Sequence, residues 1–371
     1  KIRAGDSNNI KREANNLASL FFHFSFLKRI NPKSTNHTFT YDEQNQRKTY
    51  DSALNSLTNY VYNINRRLTD VIKPSGKTIV NAYDKDRLLS TTTNEDVTNY
   101  TYVFDTQLDT VTKGTEKFTY TYDGDLLKSI AQTGLLNQTI SYEYNNDFIP
   151  DSFTYAGATT GFTYDNDNLA ITSGDYTFTR DSINGYISKV TDSSLIKDKV
   201  YDSFGELTKV SDNNFTYEIT SKDNSGLILQ KVETLDGVSV TYDYVYDDLG
   251  RLENVKKDNI LVEEYSYDDN GNRASSTVNG VTTSGSYTLD DQLVVFGDNS
   301  YRYDIDGFLN EKTTPEGVTT YTYSTLGELK QVVTPNKTIE YKHNALNQRV
   351  AKLVNGTVVE KYLWADLTTL L

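Results

Sequence analysis

Histidine is the first residue type to test for chemistry, because it acts as a general base and as the commonest metal ligand. The 371-residue chain has three histidines, His23, His37 and His343, and no cysteine. They are scattered along the sequence, whereas a zinc site gathers about four ligands at characteristic spacings. There is no Gly-x-Ser-x-Gly motif, and no serine has a paired-histidine pattern. The sequence therefore predicts no catalytic residues, no cofactor-binding residues and no metal site.

Three acidic clusters have a composition similar to that of calcium loops. They are Asp123-Gly124-Asp125, Asp165-Asn166-Asp167-Asn168 and Asp268-Asp269-Asn270-Gly271-Asn272. A calcium loop alternates oxygen ligands and ends on a distant glutamate, which none of the three has at the right spacing. Asp, Asn and Gly are also the residues that tight turns require. We therefore predict that these clusters are turns.

The remaining candidates are paired carboxylates and tyrosines. Among 51 aspartates and glutamates, nothing singles out one pair for glycoside hydrolysis. The 29 tyrosines can stack on sugars or peptides, but cross-strand packing explains their regular spacing first. A glycan-binding surface stays open as an alternative.

The elements that carry these residues repeat along the chain. In the stretch Tyr244 to Val255, two tyrosines two residues apart share one face of a strand. The strand runs into Asp247, and Asp247-Asp248-Leu249-Gly250 has the composition of a chain reversal. Leu252 then starts the return strand.

A second turn completes the unit. The layout recurs at Tyr265 to Arg273, and Val278-Asn279-Gly280-Val281 then supplies an Asn-Gly pair, the strongest short hairpin signal. Each repeat is therefore predicted to be one strand pair with two turns. Such units, with 36% hydrophobic and 12% aromatic residues, favour a broad sheet with one wet face.

The array covers most of the chain. Its key aromatic falls at Tyr41, Tyr62, Tyr83 and Phe104, a solenoid-type period of about twenty-one residues that continues to Trp364. We predict an array over residues 36–371 with about 16–17 units of roughly 20–21 residues. No linker composition divides it.

Residues 1–35 do not follow the repeat. Ile10 to Ala18 has the composition of a short helix start, and Phe21 to Phe26 that of a strand or plug. We predict that this segment is a cap, a plug or a fragment boundary. The apolar run Ala18 to Leu27 is too short for a membrane span and is expected to pack against the sheet.

Charge and composition restrict the partners. A net charge of −14 and a pI near 4.8 disfavour phosphate backbones, so nucleic acid is not expected as a partner. The chain contains no methionine and starts at Lys1, which favours a piece of a longer polypeptide. No membrane insertion by this segment is expected.

These motifs resemble the RHS or YD-repeat family, which includes bacterial rearrangement-hotspot proteins, insecticidal toxin-complex C components and animal teneurins. The full Tyr-x-Tyr-Asp-x-x-Gly-Arg-Leu consensus stands at Tyr244 to Leu252, with near matches at Tyr301 to Leu309 and Tyr341 to Ala351. The resemblance extends from the Tyr41-Asp42 copy to Trp364.

The resemblance implies an all-β repeat protein, an antiparallel β-hairpin ribbon that spirals into a hollow shell. In toxin-bearing relatives the shell encloses a C-terminal effector, and in teneurins it is an extracellular adhesion scaffold. The family's closing segment, with its Asp-Pro-x-Gly pattern, has no counterpart here. Neither self-cleavage nor a toxin domain is therefore assigned to this chain.

The leading hypothesis is a non-enzymatic shell or scaffold, a fragment of a large secreted or surface-exposed bacterial protein. Its partners would be other parts of its parent polypeptide or an encapsulated C-terminal toxin or effector. The alternative is an extracellular adhesin or carbohydrate-binding scaffold that uses the periodic tyrosines on a glycan or cell-surface receptor. An enzyme with a site among the acidic turns is a third hypothesis, without a convergent site signature to support it.

Overall fold

Every regular element in the described part of the chain is a β-strand. The computed structural model describes residues 26–30, 32, 35–54, 56–104 and 106–370. Residues 1–25 lie outside this part, and with them the predicted helix start at Ile10 to Ala18, His23 and most of the apolar run Ala18 to Leu27. The first described strand begins at Phe26.

The strands follow one another with short turns. In chain order they are β1 Phe26–Ile30, β2 Asn36–Tyr41, β3 Arg47–Asp51, β4 Leu57–Tyr62, β5 Leu68–Ile72, β6 Thr78–Asp84, β7 Arg87–Thr92, β8 Val97–Val103, β9 Gln107–Lys113, β10 Glu116–Asp123, β11 Leu126–Thr133, β12 Gln138–Tyr144, β13 Pro150–Tyr155, β14 Ala158–Tyr164, β15 Ala170–Ser173, β16 Tyr176–Arg180, β17 Ile187–Thr191, β18 Ile196–Tyr201, β19 Leu207–Ser211, β20 Phe215–Lys222, β21 Ile228–Leu235, β22 Val238–Tyr246, β23 Leu252–Lys257, β24 Ile260–Tyr267, β25 Arg273–Val278, β26 Val281–Tyr287, β27 Leu293–Phe296, β28 Asn299–Tyr303, β29 Leu309–Thr314, β30 Gly317–Tyr323, β31 Leu329–Val333, β32 Thr338–His343, β33 Arg349–Val354 and β34 Thr357–Lys361.

The sheet is a meander. Each strand pairs antiparallel with the next one along the chain, from β1 with β2 to β33 with β34. The predicted fold class, an all-β antiparallel hairpin ribbon, is confirmed. Because successive strands reverse direction, the turns after even-numbered strands all lie on one edge of the ribbon. We call these YD turns, and the turns after odd-numbered strands, on the other edge, hairpin turns.

The YD turns are held by the side chain that opens them. Asp247 Oδ1 accepts the backbone N–H groups of Leu249 and Arg251, both at 2.9 Å. The Gly250 N–H donates to the Asp247 carbonyl at 2.8 Å, and Gly250 has the positive φ of 75° that this turn requires. The same pair of side-chain bonds recurs at Asp42, Asn63, Asn145, Asp165, Asp202, Asp223, Asp268, Thr288, Asp304 and Asn344.

This pattern confirms that the acidic clusters at Asp165 and Asp268 are turns. A β-bulge lies beside each YD turn. Val245 pairs with Asn254 but Tyr246 pairs with Leu252, so Glu253 is the extra residue. Bulges increase the right-handed twist of a strand pair. A bulge in nearly every unit therefore promotes the curling of the whole ribbon.

The hairpin turn at Asn279-Gly280 has the predicted geometry. Val278 pairs with Val281, and the two residues between them have φ values of 48° and 79°. Two positive φ values in a two-residue loop match the natural twist of a hairpin.

In many units a tyrosine hydrogen-bonds the unit before it. The Tyr246 hydroxyl donates to the Ile228 carbonyl at 2.7 Å. Equivalent bonds join Tyr83 to Leu68, Tyr102 to Leu88, Tyr122 to Leu108, Tyr144 to Leu127, Tyr164 to Pro150, Tyr201 to Ile187, Tyr267 to Leu252 and Tyr287 to Arg273. The indole N–H of Trp364 makes the same contact with the Arg349 carbonyl. Burial raises the pKa of Tyr246, so its hydroxyl stays a donor. These tyrosines form a ladder along the ribbon.

The two faces of the sheet differ in exposure. In β30 the tyrosines Tyr321 and Tyr323 are half-buried, while Thr320 and Thr322 on the other face are exposed. Among the described residues only eight hydrophobic residues are buried. The prediction of a sheet with one wet face is confirmed for this strand.

The ladder predicts a difference between two neighbouring tyrosines of β10. Tyr122→Phe removes the 2.8 Å bond to Leu108 and should lower the free energy of unfolding by about 1 kcal/mol. Tyr120→Phe is the matched control, because the Tyr120 hydroxyl donates no hydrogen bond within the described residues and burial raises its pKa to about 12. Urea unfolding followed by fluorescence measures both. Equal losses in the two variants would contradict the ladder.

Candidate functional site: the seam between coils

The ribbon returns to meet itself at its edges. The Ala53 N–H, in the hairpin turn after β3, donates to Asp290 Oδ1 at 2.8 Å, in the YD turn after β26. Ser75, after β5, donates its N–H and its hydroxyl to Asp306 at 2.8 and 2.7 Å. Each pair is more than 230 residues apart in sequence. We call this row of contacts the seam.

In a third contact the hairpin turn supplies the acceptor and the YD turn supplies the donors. Glu95, in the hairpin turn after β7, accepts the N–H of Thr325 at 3.2 Å and its hydroxyl at 2.9 Å. Thr325 is fully buried. Burial acts to raise the pKa of Glu95, but the hydrogen bonds from Thr325 and Thr93 and the charge of Lys77 together lower the pKa below its ordinary value. The carboxylate is therefore charged at neutral pH and holds the opposing turn.

The spacing of the seam is constant. The turns after β3, β5, β7 and β9 meet the turns after β26, β28, β30 and β32, respectively. The two strands that precede the turns of each pair are therefore always 23 strands apart. Turns alternate between the two edges, so an odd offset joins the hairpin edge of one coil to the YD edge of the next. Strands about 4.8 Å apart give such a coil a circumference of about 110 Å.

The seam also contains a buried ion pair. Lys113 Nζ lies 3.2 Å from Glu328 Oε1, and both side chains are only 6% exposed. The ammonium also donates to Asn347 Oδ1 at 3.0 Å and lies 3.7 Å from Asp96. Burial acts to raise the pKa of Glu328, but Lys113, the Ser324 hydroxyl and Lys330 together lower it. Two coils thus share one charged cluster.

An apolar cluster lies beside the charges. Val111 and Phe118 are buried on β9 and β10 together with Ala345 from a YD turn of the second coil. Leu346 and Tyr120 pack against them. The seam therefore combines turn-to-turn hydrogen bonds with buried apolar surface, which contributes about 25 cal/mol per Å² removed from water.

The described histidines belong to the framework. His37 hydrogen-bonds the Tyr50 hydroxyl at 3.0 Å. His343 occupies the aromatic position of its unit, as predicted, since the register slips there as it does at Tyr246. Burial lowers the pKa of His343 to about 4. Its ring is therefore neutral at pH 7.

The carboxylates of the seam make structural contacts. No group of three or more His, Asp or Glu side chains that could hold a metal ion occurs in the part of the chain that the structure describes. The seam brings four carboxylates into contact with distant segments: Asp290, Asp306 and Glu95 accept hydrogen bonds from the opposing turn, and Glu328 pairs with Lys113. What the site can do chemically is close one coil on the next.

Sequence reasoning did not identify the seam residues. Asp290 and Asp306 stand in turns of the same composition as many others, and Lys113 and Glu328 belong to no motif. Their roles follow only from the 23-strand offset.

The part of the chain that the structure describes contains no candidate membrane-spanning helix.

An antiparallel ribbon that coils and is joined edge to edge by its own turns is a β-shell protein. The model of the Teneurin YD-shell family matches residues 27–369, and the chain belongs to that family. The predicted family is confirmed.

Solved structures agree with this fold. The chain is similar to the crystal structure of TcdB2-TccC3, with a TM-score of 0.64 and 12% identity over 88% of this chain and 22% of that one. It is also similar to the crystal structure of TcdB2-TccC3-Cdc42, with a TM-score of 0.54 and 13% identity over 86% of this chain and 23% of that one. The chain thus spans about a fifth of the length of these chains. No curated protein sequence matches it.

The buried ion pair predicts a large effect at Lys113. Lys113→Met leaves Glu328 buried with its main counter-charge gone and should lower the free energy of unfolding by about 3 kcal/mol. Adding Glu328→Leu should recover much of this loss, because the buried carboxylate is then gone and Lys330, which pairs with Glu328 at 3.2 Å, is itself one-third exposed to water. Thermal and urea unfolding measure both variants.

The control for this prediction is Lys189→Met, which breaks the exposed pair of Lys189 with Asp198 at 3.5 Å. Its cost should stay below about 1 kcal/mol. A Lys113→Met variant as stable as the Lys189→Met variant would show that the coils do not depend on this cluster.

Proposed function

We propose that this chain is a non-enzymatic shell, part of a large secreted or surface-exposed bacterial protein, that encloses a C-terminal toxin or effector of its parent polypeptide. The observation that carries the proposal is the seam. A ribbon with an unpaired edge exposes its contents, whereas a ribbon whose coils are joined by Asp290, Asp306 and Glu95 forms a continuous wall. The Teneurin YD-shell family and the fold shared with TcdB2-TccC3 support it.

The dimensions of the coil determine what it can hold. A circular wall of 23 strands, with strands about 4.8 Å apart, has a diameter of about 35 Å between backbone centres. Inward side chains reduce this by about 10 Å, the thickness of a sheet layer. A lumen of about 25 Å is narrower than a small folded domain of about 30 Å. The shell therefore suits an unfolded or partly folded segment.

In this proposal the shell acts by keeping other proteins away from the segment that it encloses. A protease or a partner protein that is larger than the lumen cannot reach a segment inside it. The carboxylates of the seam act structurally, since the opposing coil donates hydrogen bonds to each of them. No reaction step is needed for a container of this kind.

The adhesin or glycan-binding alternative has less support. Sugar stacking needs tyrosine rings that are accessible, but the ladder tyrosines are turned to internal carbonyls, as with Tyr246 on Ile228 and Tyr267 on Leu252. Lysine and arginine side chains cover further rings, such as Arg47 over Tyr60 with 4.2 Å to the ring centroid.

A protection experiment tests enclosure. An unstructured, protease-sensitive reporter segment is fused after Leu371, and its cleavage rate is compared with that of the free reporter. If the shell encloses the segment, cleavage should be slowed by at least about ten-fold, because a protease then acts only on transiently open molecules.

The matched variant opens the seam with Asp306→Ala and Lys113→Met, and it should restore fast cleavage. Asp248→Ala, in a YD turn outside the seam, should keep the protection. Cleavage at the rate of the free reporter in the intact protein, or equal protection in the seam variant, would contradict enclosure.

A further inference from the structure

One position of the tyrosine ladder carries an imidazole. In most units the strand before the YD turn has a tyrosine where the register slips, as at Tyr246 and Tyr323. In β32 this position is His343. Its ring nitrogen Nδ1 is buried and has no hydrogen-bond partner within the described residues. A hydroxyl donor is thus replaced by a nitrogen without a partner.

Two other units of the described ribbon also depart from tyrosine at this position, and both side chains find partners. Arg180 donates to the Ala170 carbonyl at 3.0 Å, which is the ladder contact made by a guanidinium. Lys222 pairs with Glu206. His343 therefore differs from both in its surroundings.

His343 lies at the junction of the two coils. The next two residues, Asn344 and Ala345, are 0% and 1% exposed in the turn that docks on the first coil. A cavity of about 620 Å³ lies beside the ring, and Lys113 and Glu116 of the first coil line it together with His343. The imidazole is thus part of the contact that joins the coils.

Cations outnumber anions among the charges that act most strongly on the ring. Lys113 of the first coil, Lys330 on β31 and Arg349 on β33 are the cations, and Glu328 is the anion that opposes them. Glu328 is already shared between Lys113 and Lys330, each at 3.2 Å. The other titratable groups around the cavity are Asp96, Glu116, Glu340, Tyr341 and Lys342.

A proton on this ring is unfavourable while the coils are joined. It would add a positive charge beside three cations, and it would make Nδ1 a buried donor without an acceptor. Burial is the main cause that lowers the pKa of His343 from its ordinary 6.5 to about 4, although the charge of Glu328 acts in the opposite direction. Water reaches the ring when the coils separate, so the separated state takes up the proton first.

We propose that His343 is an acid-sensitive latch of the shell, and that its protonation in mildly acidic solution releases the turn at Asn344 from the first coil and opens the seam at Lys113. The proposal rests on the seam and not on the enclosure of an effector.

Linkage defines the pH range of the latch. The neutral imidazole stabilises the joined coils fully above pH 6.5, and this stabilisation is lost as the pH falls towards the pKa of about 4 in the joined state. Glu95 and Glu328 have pKa values below their ordinary 4.5 and stay charged through most of this range. Acid sensitivity between pH 6.5 and pH 4.5 is therefore assigned to the histidine.

Thiol labelling measures the opening. The chain has no cysteine, so Ala345→Cys places a single thiol in the buried turn, where it reacts only when the coils separate. Its rate with dithiodipyridine is divided by that of an unstructured cysteine peptide at the same pH. This normalised rate should rise by about 20-fold from pH 7 to pH 5, the increase that a pKa of about 4 in the joined state and 6.5 in the open state gives.

Two substitutions remove the imidazole from the labelled protein. His343→Tyr restores the residue that most units carry, and His343→Gln keeps a polar side chain that does not titrate. In both variants the normalised rate should change by less than about three-fold over the same range. The control His37→Gln removes an imidazole that bonds the Tyr50 hydroxyl instead, and it should keep the full response. Circular dichroism at each pH confirms that the variants are folded.

Four results would overturn the proposal. The normalised rate could be independent of pH between 7 and 5, the response could persist in both His343 variants, or it could disappear in the His37→Gln variant. A response that begins only below pH 4.5 would assign acid sensitivity to the carboxylates Glu95 and Glu328. None of these results decides whether the shell encloses an effector, which the protection experiment tests separately.

Discussion

A side-chain oxygen that accepts backbone N–H groups is the interaction on which this structure depends. Within a unit, Asp247 accepts two such groups and closes the YD turn. Between coils, Asp290 and Asp306 accept N–H groups from turns of the other coil. The bonds within a unit form the turns of the ribbon, and the bonds between coils join neighbouring coils edge to edge. Both work because turn apices carry N–H groups that no strand pairing satisfies.

The seam changes the energetics of a repeat array. In an open array each unit contacts only its neighbours, and stability is a sum of local terms. Here the cluster around Lys113 and Glu328 joins units more than 200 residues apart, so the loss of one coil affects the other. The sheet has few buried hydrophobic residues, and three of them, Val111, Phe118 and Ala345, lie together at this junction. We therefore expect the coils to unfold together.

The local structure was predictable because each rule acts over a few residues. The alternation around Tyr244, the turn at Asp247 and the Asn279-Gly280 hairpin each follow from neighbouring residue types, and the structure has all three. The seam was not predictable in this way. Its register depends on twist accumulated over 23 strands, and Asp306 looks in sequence like the acids of other turns, such as Asp167. The expectations for residues 1–25 lie outside the described part of the chain.

The central claim is that the ribbon closes on itself at an offset of 23 strands. The chain has no cysteine, so two introduced cysteines, Leu54→Cys and Leu289→Cys, place a pair of spin labels only at the first contact of the seam. Pulsed electron spin resonance then measures the distance between them. The closed coil predicts about 20 Å, whereas 23 strands of an uncurled ribbon would separate the labels by about 110 Å. A distribution centred near the longer distance in the folded protein would contradict the account.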